Sequence, residues 1–119
     1  MRVPFSLGKR ALPFVGYLVT TFNDQQPGVL QLLSKGASDA YNFRSLNGGK
    51  PVVTSSFGTH GTRDPFVLAG ADRSNFWMLA TDLDIGKTSW HESQTHGSRD
   101  IMIWSSSDLT SWTQHSAAT

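Results

Sequence analysis

The apolar positions of this chain come in short runs, not at helical spacing. Runs such as GYLVTTF, VLQLL, PFVLA, FWMLAT and DIMIWSS are each bounded by Gly, Pro, Asn, Asp or Ser, which is the punctuation of strands. The pattern predicts strands over Gly16–Phe22, Gly28–Ser34, Asn42–Arg44, Pro51–Thr54, Phe66–Ala69, Phe76–Thr81, Asp100–Ser105 and Trp112–His115. Residues 84–99, DIGKTSWHESQTHGSR, keep no steady period and are expected to form a long exposed loop. Long loops inside compact domains are functional or disordered more often than not. Residues 1–15 read as an irregular segment and 16–119 as one all-β unit.

Two stretches repeat. LQLLSKGASDAYNF carries Ser38-Asp39 and then Phe43; IMIWSSSDLTSW carries Ser107-Asp108 and then Trp112. The offset is the same for both landmarks, from 39 to 108 and from 43 to 112. Each stretch follows another aromatic-rich run, GYLVTTFND in one case and FWMLATDLD in the other. The unit is therefore strand, loop, strand, Ser-Asp turn, and a last strand opening on an aromatic. Ser and Asp side chains bond nearby backbone amides and hold tight turns. A repeated antiparallel unit of this size predicts propeller blades. An immunoglobulin-like sandwich is the rival architecture, since about eight strands fit one. Two blades alone leave open sheet edges, which invite self-association.

Composition narrows the function classes. The formal net charge is +1 over 119 residues, so neither nucleic acid nor an anionic membrane is called for as a partner. There is no cysteine, which excludes disulfides and thiolate chemistry. Pro4, Gly8, Lys9, Arg10 and Pro13 interrupt the amino-terminal apolar residues, so no signal peptide or membrane span is expected there. His60, His91, His96 and His115 form no recognisable metal motif. The glycine-rich pieces LNGGKP and GTHGTRDP lead into no helix and make no phosphate loop. No cofactor and no metal is expected.

The chemical candidate is Asp64, between Arg63 and Pro65. A proline ring disfavours the helical region for the residue before it, so Asp64 is expected to be extended and aimed at a strand mouth. Arg63 can keep a nearby carboxylate ionised. An ionised, oriented carboxylate is what a general base needs, although Asp-Pro also starts ordinary turns.

The wider context adds a resemblance. GGKPVVTSSFGTHGTRDPFVL, FWMLATDLDIG and GSRDIMIWSSSDLTSW, in that order, resemble the opening part of glycoside hydrolase family 43. The resemblance runs from about Gly16 to Gln114. It rests on Arg63-Asp64-Pro65, Ala80-Thr81-Asp82-Leu83 and Ser107-Asp108-Leu109 with Trp112. It implies a five-bladed β-propeller fold, of which this chain holds about two blades. It also implies an inverting hydrolase acting on arabinose- or xylose-containing plant polysaccharides. By the resemblance Asp64 matches the general base, while the general acid is a Glu from a later blade. The single glutamate here, Glu92, does not match that motif. The expectation is therefore a truncated and inactive fragment of an arabinofuranosidase-like enzyme.

Other residues fill in a candidate pocket. Asp82 ends a strand, where it can bind a sugar hydroxyl or merely begin a turn. Ser98 and Arg99 open the next strand and can line the same mouth. Of four tryptophans, Trp77, Trp104 and Trp112 read as packing, and Trp90 as the one placed to contact a ligand. Two further readings stand beside the enzyme. One is a non-catalytic module that binds a pentose-rich glycan through Asp82, Arg99 and Trp90. The other is a structural remnant without a ligand.

Overall fold

The short apolar runs are realised as two antiparallel sheets in the computed structural model, which describes residues 15–115. The first sheet runs β1 (Leu18–Thr21), β2 (Leu30–Ser34) and β3 (Phe43–Ser45). The second runs β4 (Arg63–Ala69), β5 (Phe76–Thr81), β6 (Ile101–Ser106) and β7 (Thr113–Gln114). Spatial order follows chain order in both, so each sheet is a simple meander. An immunoglobulin-like sandwich would send successive strands to different sheets. The first strands of the two sheets, β1 and β4, lie against each other. The fold is thus all-β and a partial propeller. The irregular segment expected over residues 1–15 lies, except for Val15, outside the described residues.

The core sits where the second sheet meets the first. β5 and β6 bury alternate residues, Met78 and Ala80 from one and Met102 and Trp104 from the other. The register sets Met78 opposite Trp104 and Ala80 opposite Met102. Cross-strand pairs of this kind are the unit of sheet stability. Val29 and Val53 close the cluster from the first sheet's side, and Val52, Val67 and Trp112 pack around it. A large side chain so buried contributes about 1.5–3 kcal/mol relative to leaving it exposed. Trp77 is only half-buried and rests on the ring of His115, 5.5 Å between centroids. On the second sheet's other face Leu68 and Ile101 are exposed, and Phe66 is 65% exposed, so that apolar face lies uncovered.

The repeat has a local cause. The Asp39 carboxylate accepts from the amides of Tyr41 and Asn42, at 2.9 and 3.0 Å. The Asp108 carboxylate accepts from those of Thr110 and Ser111, both at 2.9 Å. The two turns join β2 to β3 and β6 to β7, and they use the same bonds at the same offsets. Those amide bonds hold both carboxylates below their ordinary pKa; for Asp108, Ser111 and then Thr110 bring it down from 3.8 to about 2.

Three expectations need correction. Residues 84–99 are not simply a loop, because Trp90–His96 form a helix, α1. Its cause is an N-cap: the Ser89 hydroxyl accepts from the Glu92 amide at 3.0 Å. Pro51–Thr54 form no strand; Val29 and Val53 share only an isolated bridge. Pro51 has no N–H for a ladder, and a short 3₁₀ turn at Asn47–Gly49 precedes it. Asp64 is not extended; its φ is 52°.

Candidate active site

The site begins with a defect in the β4–β5 ladder. Arg63 pairs with Thr81, but the next partners are Phe66 and Leu79. Asp64 and Pro65 therefore stand opposite Ala80 alone, which is a β-bulge. Bulges bend a strand and re-aim a side chain beside a functional site. A positive φ is uncommon for any residue but glycine, and Asp is among those that tolerate it. Backbone held in such a region persists only where its surroundings enforce it. Here the enforcing contacts flank the bulge. The Thr81 hydroxyl donates to the Arg63 carbonyl at 3.1 Å, and β4 resumes its ladder at Phe66.

Asp82 follows β5 and is buried. One of its oxygens accepts from both the amide and the hydroxyl of Thr59, at 2.8 and 2.7 Å. Gly58 makes this approach possible: its φ is 57°, and a Cβ there would collide with the Asp82 carboxylate. Asp82 therefore ties the glycine-rich loop before β4 to the end of β5. Its second role, as wall of the cleft, comes with the first.

The far wall comes from α1 and the segment behind it. With seven residues, the helix is marginal on its own and depends on its cap and its neighbours. Together the bulge, the end of β5 and residues 97–101 enclose a cleft of about 280 Å³, lined by Asp64, Thr81, Asp82, Leu83, Ser93, Gly97, Ser98, Arg99, Asp100 and Ile101. A larger hollow of about 640 Å³ is lined by Gly16, Tyr17, Leu18, Ala37 and Ser38. None of the described residues that line it carries a carboxylate, whereas the cleft at Asp64 has three, Asp64, Asp82 and Asp100.

Four of the five residues predicted for the site line this cleft: Asp64, Asp82, Ser98 and Arg99. Trp90 does not. It opens α1, is 54% exposed, and has the Arg63 guanidinium 4.9 Å from its ring centroid. Asp64 is exposed, and among the described residues its carboxylate makes no hydrogen bond or ion pair. Arg99 is likewise exposed. Arg63 does not serve Asp64 as a counter-charge; its ion pair is with Asp24. Ser93 and Asp100 also line the cleft and were not anticipated. Asp100 carried a signal, since it stands at the head of a predicted strand beside Arg99. Ser93 would have followed from reading Ser89-x-x-Glu92 as a helix start.

Glu92 lies on α1 with its carboxylate 3.5 Å from the His96 ring and does not line the cleft. Among the described residues no group of three or more His, Asp or Glu is placed to share a metal ion. No helix among them is long and apolar enough to cross a membrane.

A sequence model described as a probable glycosyl hydrolase domain, related to glycoside hydrolase family 43, matches residues 12–119. The chain belongs to that glycosyl hydrolase family. It is also similar to an alpha-L-arabinofuranosidase of Bifidobacterium longum subsp. longum, 32% identical over 107 residues. The match covers 88% of this chain and 10% of the relative, so the chain spans about a tenth of that enzyme's length. No solved structure matches it significantly. The cleft's polar side chains are carboxylates, hydroxyls and one cation, and glycosidases typically work with a pair of carboxyl groups.

Proposed function

We propose that the chain carries the general-base half of an inverting glycosidase site for arabinofuranosyl or related pentose glycans, with Asp64 as the base. The observation that carries this is the free Asp64 carboxylate, turned by the bulge into a cleft beside Arg99 and Asp82. Inverting glycosidases hold base and acid about 6.5–9.5 Å apart to admit a water. A carboxylate open to solvent has room for that water. Arg99 and Ser98 supply hydrogen bonds to sugar hydroxyls, and Asp82 fixes the wall between them. Trp90 supports the cleft from outside instead of stacking on a sugar.

The acid is the missing part. The chain's only glutamate points elsewhere, and general acid–base assistance is worth roughly 10²–10⁴-fold per group. The chain by itself therefore binds pentose glycans and turns them over poorly or not at all. The uncovered apolar face and the open sheet edges favour association with further sheets, including a second copy of the chain.

Glu92's position outside the cleft also favours a second reading, a non-catalytic glycan-binding module. Hydrolysis of an aryl α-L-arabinofuranoside by folded chain, beside Asp64→Asn, separates the two. Slow turnover that disappears in the variant supports the base and points to Asp82 or Asp100 as a stand-in acid. Binding without turnover, weakened in the variant, supports the half-site. Turnover that survives Asp64→Asn overturns the assignment. Binding untouched by Asp64→Asn favours the module.

A further inference from the structure

Arg63, beside the cleft, contacts residues from three separate parts of the molecule. Its guanidinium carbon lies 4.6 Å from the ring centroid of Phe22 and 4.9 Å from that of Trp90. It pairs with Asp24, and its side chain is only 14% exposed. Its carbonyl accepts from Thr81. Phe22 and Asp24 follow β1 in the first sheet, Thr81 ends β5, and Trp90 opens α1. Asp64 is the next residue in the chain. One side chain thus joins the first sheet to the first turn of α1, and its backbone is the fixed edge of the bulge.

We propose that Arg63 is the positioning residue of this site. It sets both walls of the cleft at once. Its side chain, held by Phe22, Trp90 and Asp24, anchors the residue that opens the bulge at Asp64. Through Trp90 it seats α1, and with it Ser93 and the segment Gly97–Asp100. The role requires a planar guanidinium. Arg stacks on aromatic faces while keeping N–H groups for a carboxylate, and Lys, a compact hydrated point charge, does not do both. The proposal rests on the reading of Asp64 as the base only for its catalytic consequence, because the clamp itself exists without any sugar.

The test uses the full chain and three variants, Arg63→Lys, Trp90→Ala and Asp24→Asn, compared by NMR without ligand and then with an arabinofuranosyl oligosaccharide. In the wild-type chain the Arg63 side-chain protons are expected upfield of their usual positions, shifted by the two rings. Arg63→Lys and Trp90→Ala should move the amide resonances of Asp64 and of residues 93–100. The amides of Met78 and Met102 should stay in place. Both variants should weaken sugar binding by about tenfold, the scale of a partly desolvated cation–π contact. Asp24→Asn, which leaves the stack intact, should weaken it by less. Trp90 is half-exposed, so Trp90→Ala keeps the test open if Arg63→Lys does not fold.

Unmoved Asp64 and α1 resonances in both variants would overturn the proposal. So would wild-type affinity in Arg63→Lys, since charge alone would then suffice. A wild-type chain that binds no sugar contradicts the functional reading of Asp64 instead. The ligand-free resonances still decide for or against the clamp in that case.

Discussion

The first sheet joins β1 to β2 through residues 22–29, whereas the second joins β5 to β6 through residues 82–100. Their final hairpins are nearly interchangeable, each held by an aspartate that accepts from amides two and three residues on. The opening strands differ. β1 pairs with β2 in unbroken register, while β4 carries the bulge at Asp64. The candidate site residues Asp64, Asp82, Ser98 and Arg99 lie at those two departures: the bulge, and the long connection with its helix. The shared unit supplies a rigid frame, and the deviations from it supply the cleft. Functional groups concentrate in this way on connections held by a regular scaffold.

The comparison can be broken first at the frame. Trp104→Ala removes the largest fully buried side chain and should cost about 3–5 kcal/mol, measured by urea unfolding. A small domain has only about 5–15 kcal/mol in total, so much of the chain should be unfolded at moderate urea. A smaller loss should follow at the junction of frame and cleft. Asp82→Ala leaves the Thr59 amide and hydroxyl without their partner and should cost about 1–3 kcal/mol. It should also weaken sugar binding, because the loop before β4 loses its anchor.

The hairpins can be compared by pH. Asp108 titrates at about 2 in the folded chain against an ordinary 3.8. Its folded pKa is depressed, so its contribution is present above pH 4 and is lost as pH falls towards 2. Asp39 shifts in the same direction for the same cause. Unfolding midpoints measured between pH 5 and 2 should decline. Asp108→Asn should flatten part of that decline while lowering stability at neutral pH. The smallest effect on folding is expected at the site itself. Asp64→Asn alters an exposed carboxylate without partners among the described residues and should change stability by no more than about 0.5 kcal/mol, even though it removes the proposed base.

The frame was largely legible in the sequence because strands and Ser-Asp turns are local. Apolar runs bounded by turn residues located β5 and β6, Trp104 read as packing from its place inside a strand, and Asp39 and Asp108 marked the two matching hairpins. The cleft was legible as a set of residues but not as a geometry. Asp64, Asp82, Ser98 and Arg99 were all nameable from strand ends. The Pro65 rule pointed Asp64 to an extended backbone, whereas pairing on both sides of the bulge imposes a positive φ. A bulge depends on register between β4 and β5, and no single strand encodes it. The helix was missed although Ser89, Glu92 and Gly97 marked its ends, because seven residues show too little periodicity to outweigh the polar sequence around them. The contact of Trp90 with Arg63 was not legible for a related reason: only the fold brings Arg63 and Phe22 to its side.

The most direct test is a titration of the isotope-labelled chain with an arabinofuranosyl oligosaccharide, following backbone amides by NMR. Saturable shifts are expected at Asp64, Thr81–Leu83 and Ser98–Ile101, greatly reduced in Asp64→Asn. Shifts confined to the hollow at Gly16–Leu18, or no shift anywhere in a folded chain, would contradict the proposed site.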